Sequence, residues 1–131
     1  MEPYIHKVRY YECDRMGVTH HSNYIRMMEE ARIDLLDRLG YGFERMEADG
    51  IVSPVIAVDV RYKKTTTFQD EVAISIKLLE MSALKFRFGY TMTVRGQVVC
   101  TAESTHCFLR EGRPVSFAQC YPELVDKLQL A

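Results

Sequence analysis

The stretch CDRMGVTHHSNYIRMMEEAR, Cys13 to Arg32, crowds a thiol, carboxylates, adjacent histidines and a glycine into one short segment. Each residue type has its own chemistry. A cysteine nucleophile needs a base or a positive dipole beside it to form thiolate, and His20 and His21 are near in sequence. Yet Cys13 closes an aromatic run beside Tyr10 and Tyr11, where cysteine packs well as a small apolar filler; packing is the stronger reading. His20, His21, Asp14 and Glu29 are all metal-ligand types. Adjacent histidines in an extended segment point to opposite sides and no HxxxH or HxH spacing occurs, so no metal site is expected. Asp14 has two readings. It is either a turn aspartate capping backbone N–H groups or a carboxylate aimed at the start of the following helix. Free N–H groups and the positive dipole end there would hold an oxyanion. A carboxylate beside such a site is the minimum equipment for acyl transfer to water, and spacing alone does not separate the two readings.

The elements that must position these residues are legible as periodicities. Tyr4 to Tyr11 (YIHKVRYY) is β-branched and aromatic and predicts a strand. Tyr24 to Leu39 predicts the one long helix, with Asn23 or Ser22 as N-cap and Gly40 at the C-terminal cap. YGFERMEADG predicts an irregular helical turn. The period then drops to two. Val55–Lys63, Val72–Leu78, Leu84–Val94 and Val98–Leu109 predict four strands, with a hairpin turn at Arg95-Gly96-Gln97 and a short helix over Tyr121–Leu130. One helix of about 16 residues, roughly 24 Å long, is the only large element that can cover a five-stranded antiparallel sheet, so the sheet must curl around it. Open edges and leftover apolar surface favour dimerisation. On the helix, Tyr24, Met28, Ala31, Leu35 and Leu39 form the apolar stripe, and Ile25 and Leu36 bracket Glu29 and Arg32 on a neighbouring one. Glu29 and Arg32 are therefore either an i,i+3 surface ion pair or residues of a partly buried seam.

The chain has 131 residues, one domain's length, and is 47 % hydrophobic, enough for a real core. A net charge of −1 argues against a general nucleic-acid or membrane-surface binder. No apolar run approaches the roughly 20 residues of a membrane span, and MEPYIHKVRYYECD lacks a signal-like apolar core, so a cytoplasmic location is expected. The four cysteines show no CxxC or zinc-like spacing and are expected to be free thiols.

The stretch YYECDRMGVTHHSNYIRMMEEAR resembles the N-terminal motif of hotdog-fold acyl-CoA thioesterases. These are the 4-hydroxybenzoyl-CoA thioesterase-like proteins, which include short-chain enzymes associated with the Tol–Pal system. The family pattern is a strand, an aspartate, a glycine-containing loop, Asn-Tyr opening the long helix, then Glu and Ala-Arg. Here those are Asp14, Gly17, Asn23-Tyr24, Glu29 and Ala31-Arg32. IVSPVIAVDVRYKKTTTFQDEV and ESTHCFLREGRPV are similar to the family's second and last strands. The resemblance implies an α+β hotdog fold over residues 1–131, a five-stranded curved antiparallel sheet wrapped around one long helix, with active sites at the interfaces of a homodimer or homotetramer. It implies hydrolysis of an acyl thioester, with CoA entering as part of the substrate and no other cofactor.

By the same resemblance Asp14 is the catalytic carboxylate, as nucleophile or general base. The backbone N–H near His21 polarises the carbonyl, the His21 side chain assists, and Glu29 stands where another branch keeps its acid. Gly17 and Tyr24 fall on the substrate side of the motif. Some members bind the CoA phosphates through basic residues in the turn before the fourth strand. Here that turn is Met81-Ser82-Ala83-Leu84, with Lys85 and Arg87 beyond it; Arg61, Lys63 and Lys64 are alternative phosphate partners or a solvated strand face. Arg15 and Met16 stand between Asp14 and Gly17 where small residues are common, narrowing or charging the pocket mouth. Met27, Met28, Phe43 and Met46 are candidates for the acyl pocket or plain core. Asp14 lies six and seven residues from His20 and His21, which does not fit the Asp-x-x-x-x-His arrangement of hydratases on this fold. An acyl carrier protein in place of CoA, and a non-catalytic acyl-CoA-binding module, are the rival readings.

Overall fold

The computed structural model describes residues 1–130. Strand β1 covers Tyr4–Lys7 and a 3-10 turn follows at Tyr10–Glu12. The chain then runs through α1 (Ser22–Arg38), α2 (Phe43–Ala48), β2 (Ile51–Val52), β3 (Val55–Tyr62), β4 (Glu71–Met81), β5 (Lys85–Val94), β6 (Gln97–Arg110), β7 (Arg113–Val115), α3 (Phe117–Cys120) and α4 (Pro122–Leu130). Five strands lie antiparallel in the order β1-β4-β5-β6-β3, and the short β2 and β7 pair with the far end of β6. This is the curled sheet around a single long helix that the periodicities imply, with two short strands added.

The helix is held by its buried face. Tyr24, Met27, Met28, Ala31 and Leu35 are all at or below 5 % exposure, packed over inward residues of the sheet such as Ile74, Tyr90 and Met92. Met27, Met28 and Leu35 each contribute about 1.5–3 kcal/mol by leaving water. Its end is set by Gly40, whose φ of +86° is one that residues with a Cβ resist. There Gly40 N–H donates to Asp37 O at 3.0 Å and Tyr41 N–H to Leu36 O at 2.8 Å, the paired bonds of a Schellman cap. The start differs from expectation. The N-cap is His21, without a side-chain capping bond. Asn23 instead spends its side-chain amide on Glu12 O at 2.9 Å, and Ser22 Oγ lies 2.9 Å from His20 Nδ1. The first strand is also shorter than its composition suggests: after Lys7, Val8 N–H turns to Asp70 O at 2.8 Å and the chain enters the 3-10 turn.

β3 is an edge strand. Its inner side pairs with β6 from Val55 to Tyr62, its outer side has no strand partner among the described residues, and Val55, Ile56, Val58 and Tyr62 are 39–49 % exposed.

Candidate active site

Asp14 sits on a small hairpin. Asp14 N–H donates to Val18 O at 2.8 Å, Gly17 N–H donates to Asp14 O at 3.0 Å, Cys13 bridges to Thr19, and His20 N–H donates to Glu12 O at 2.8 Å. Gly17 holds φ at +80° at the tight bend. The Asp14 carboxylate takes part in the turn: Oδ1 accepts from Met16 N–H at 2.8 Å, an Asx-type turn. Its other oxygen has no protein partner among the described residues. Both readings of Asp14 are thus compatible with one side chain, one oxygen for the loop and one for solvent. Arg15 and Met16 are exposed at the hairpin tip, Met16 at 80 %.

The hairpin is pinned at two places. Thr19 Oγ1 and Thr66 Oγ1 lie 2.6 Å apart, Tyr24 OH lies 2.9 Å from the same Thr66 hydroxyl, and Thr67 Oγ1 donates to Gly17 O at 2.7 Å. The Tyr24 side chain is therefore spent on packing and on this buried hydroxyl cluster. On the other side, His6 places Nε2 2.8 Å from Glu12 Oε1 and Nδ1 2.8 Å from Glu30 Oε2, tying the base of the hairpin to the helix.

At the helix start, Ser22, Asn23 and Tyr24 N–H groups are engaged with His20 Nδ1, His20 O and His21 O. The His21 N–H has no such partner among the described residues. The His21 ring is exposed, stacked on His20 at 4.2 Å between centroids, and its carbonyl accepts from Tyr62 OH at 3.1 Å. Cys13 is half-buried, with its thiol near Arg9 O. Among the described residues no cluster of three or more His, Cys, Asp or Glu is arranged to hold a metal ion.

Glu29 and Arg32 do not pair. Glu29 is exposed and has no hydrogen bond or ion pair among the described residues, and Arg32 turns inward to donate to Tyr90 OH at 3.0 Å. Both line a pocket of about 120 Å³ between the helix, α2 and the sheet, walled by Phe86, Phe88, Phe108 and Phe117. Phe43 and Met46 belong to this wall, whereas Met27 and Met28 are 0 % exposed and belong to the core.

Behind the pocket runs a polar chain that pattern reading passed over. Tyr90 OH lies 2.6 Å from Ser104 Oγ, which lies 2.6 Å from His106 Nε2. The signal for it was present: Ser104 and His106 occupy the inward register of β6, between Ala102 and Phe108. Burial, aided by the positive charge of Arg32, pushes the His106 imidazole down to about 4. The Tyr90 phenol is raised by burial, and burial pushes the Cys100 thiol up to about 11.

The candidate phosphate cations do not form one patch. Arg61 is exposed and paired to Asp59 at 2.9 Å, with its guanidinium pKa raised by that bond. Lys63 follows Tyr62, opposite Cys100, whereas Lys85 lies opposite Cys107. Seven residues of β6 separate those positions, roughly 23 Å at a strand's rise.

The family described as the Thioesterase-like superfamily matches residues 8–127. A Bacillus subtilis protein, named as an inferred acyl-CoA thioesterase, is 31 % identical over 120 residues, covering 89 % of this chain and 87 % of that protein. A solved structure of an Aquifex aeolicus hypothetical protein is 31 % identical, with a TM-score of 0.88 and coverage of 95 % of this chain and 97 % of that one. The DHNA-CoA thioesterase of Staphylococcus aureus is 27 % identical, with a TM-score of 0.87 and coverage of 95 % and 86 %.

Proposed function

The chain belongs to the thioesterase-like superfamily and is a thioester hydrolase, and from that premise we propose that it hydrolyses an acyl-CoA to the free carboxylate and CoA thiol at the Asp14 hairpin. The His21 N–H receives the carbonyl oxygen as it becomes an oxyanion. Asp14 either attacks the carbonyl carbon, expelling the CoA thiolate and leaving a mixed anhydride for water to cleave, or takes a proton from the attacking water. What supports this reading is that a carboxylate oxygen of Asp14 on the pinned hairpin, and the His21 N–H at the helix start that follows it, both have no protein partner among the described residues. Lys63, near this end of the sheet, is the favoured contact for the CoA phosphates; Arg61 is engaged with Asp59 and Lys85 is remote.

From His21 to Glu29 the helix rises about 12 Å, so a carbonyl held at His21 does not reach Glu29 of the same chain. We therefore assign Glu29 to the acyl-pocket rim, and the complete site to a homodimer joined along the β3 edge, where a second copy brings its own pocket to the hairpin. The short-chain, Tol–Pal-associated subgroup stays a finer proposal resting on the N-terminal motif and His21.

Asp14→Asn is the test. Asn keeps an oxygen for Met16 N–H, so the turn survives, while the base or nucleophile is lost; turnover in a thiol-release assay falls on the order of 10²–10⁴-fold. Wild-type rates in the folded variant remove Asp14 from the mechanism. The same acyl group offered on CoA and on carrier protein decides the carrier. Saturable acyl-CoA binding without thiol release identifies a binding module instead.

A further inference from the structure

Glu12 is the joint on which the Asp14 hairpin turns. It lies two residues before Asp14, and its carbonyl accepts twice from the helix side: from His20 N–H at 2.8 Å and from the Asn23 side-chain amide at 2.9 Å. Those two donors flank His21, whose own N–H has no protein partner among the described residues. The placement of Glu12 therefore sets how Asp14 stands against the His21 N–H.

Glu12 is in turn held through its side chain. Oε1 accepts from Arg9 N–H at 2.7 Å and lies 2.8 Å from His6 Nε2. The other ring nitrogen, His6 Nδ1, lies 2.8 Å from Glu30 Oε2, about two turns into α1. His6 and Glu12 are buried, whereas the Glu30 side chain is 45 % exposed. An ionised carboxylate only accepts, and a neutral imidazole has a single N–H. With a carboxylate oxygen at each ring nitrogen, both contacts are hydrogen bonds only when the trio holds one further proton. Glu12 Oε1 is already an acceptor and Glu30 reaches solvent, so the ring is the place for it. A neutral ring would set a lone pair against one of the two carboxylates.

The charges around this corner balance a second ring proton. Glu12 and Arg9 come from the 3-10 turn and its cap, and Glu30 and Asp34 from α1, while β4 sets only Val72 opposite His6. Tyr4, two residues before His6, reports the same set: burial raises its phenol first, then the Glu30 charge, with Asp34 adding and Arg9 opposing.

We propose that His6, with a hydrogen on each ring nitrogen, is a positioning residue of the site: it ties Glu12 to Glu30, fixes the Asp14 hairpin against the start of α1, and on losing its second hydrogen releases that tie and lowers turnover. The Glu30 arm is the one released, because a buried carboxylate stripped of its donor is the costlier loss. The proposal rests on the Asp14 thioesterase reading above and adds a pH control to it.

The test measures kcat and KM of the full-length protein, Glu30→Ala and Glu30→Gln from pH 6 to pH 9, with one acyl-CoA that the wild type hydrolyses. Glu30 is the partly exposed member, so its replacement spares the buried pair. At pH 6, Glu30→Ala lowers kcat by about tenfold, as a small misplacement of reacting groups does, with KM within about twofold of wild type. Glu30→Gln, which keeps an acceptor oxygen for Nδ1–H, recovers most of that loss. The wild-type-to-Ala ratio of kcat then closes toward one by pH 9, where the wild-type ring has let go of Glu30. Taking the ratio cancels every titration that the two enzymes share. An unchanged kcat at pH 6, a ratio constant with pH, a loss confined to KM, or no recovery in Glu30→Gln overturns the proposal while leaving the thioesterase reading intact. No thiol release from any acyl-CoA removes the thioesterase reading itself. In that event, or should Glu30→Ala fail to fold, ¹⁵N spectra of the wild-type protein decide. Two ring hydrogens on His6 at pH 6, and a His21 amide that shifts in step as one of them is lost, support the tie; a single ring hydrogen at pH 6, or a His21 amide that does not follow, overturns it.

Discussion

Acidification should unfold this protein partly through one residue, His106. In the unfolded chain its imidazole takes up a proton near pH 6.5, and in the fold it refuses one until about pH 4, because burial and the facing Arg32 charge disfavour imidazolium. Between those values the unfolded state binds more protons than the folded state, so stability rises with pH across the window and is lost as pH falls through it. The difference between 6.5 and about 4, at 1.36 kcal/mol per pH unit, corresponds to about 3 kcal/mol. His106→Leu has no titrating group and loses this component. It also strips Ser104 of its acceptor, which lowers stability by about 1 kcal/mol at every pH without changing the slope. Urea unfolding followed by far-UV circular dichroism and tyrosine emission reads both variants; the chain has eight tyrosines and no tryptophan. Runs between pH 4 and 7 at one protein concentration keep any dimerisation term constant. Wild-type stability should fall by about 3 kcal/mol more than that of His106→Leu between pH 6.5 and 4. Parallel pH curves would refute the burial argument for a neutral His106.

Three further outcomes follow from the geometry. Gly17→Ala places a Cβ on a residue with φ of +80°; the hairpin should lose about 1–2 kcal/mol, seen as a lower thermal midpoint and a larger proportional fall in turnover than in substrate binding. Cys100, buried and with its thiol pushed up to about 11, should resist iodoacetamide at pH 8 until the protein is unfolded, while the half-buried Cys13 is alkylated in the native state; mass spectrometry of the labelled peptides checks the order. Val58→Lys puts a charge on the exposed β3 edge and should shift the protein toward monomer in light scattering and lower turnover with it, and an unchanged mass would remove β3 as the joining edge.

Much of the fold was legible as pattern. The alternation from Leu84 to Val94 and the helical stripe through Tyr24, Met28 and Leu35 each report a face, and those faces are the buried ones. The positions of Gly40 and of the Arg95-Gly96 turn also followed from residue type. The helix start did not, because Asn23, a favoured capping residue, has a stronger use 11 residues back on Glu12 O. The candidate site was legible in part: Asp14, Gly17 and the His21 start of the helix stand out as a motif, but the pinning threonines and the His6 link do not.

By itself the sequence determined the long helix and the five main strands, since those depend on neighbours within one or two turns of chain. It also marked the loop that carries Asp14, the candidate carboxylate. Tertiary structure alone decided that Arg32 leaves Glu29 for Tyr90, 58 residues away, that Ser104 is sealed in the core while His106 lines a pocket, and that Lys63 and Lys85 lie far apart. Those outcomes depend on strand register and on which strand ends at an edge. A burial face repeats every second residue, whereas the partner of a buried polar atom is chosen by the strand or helix folded over it.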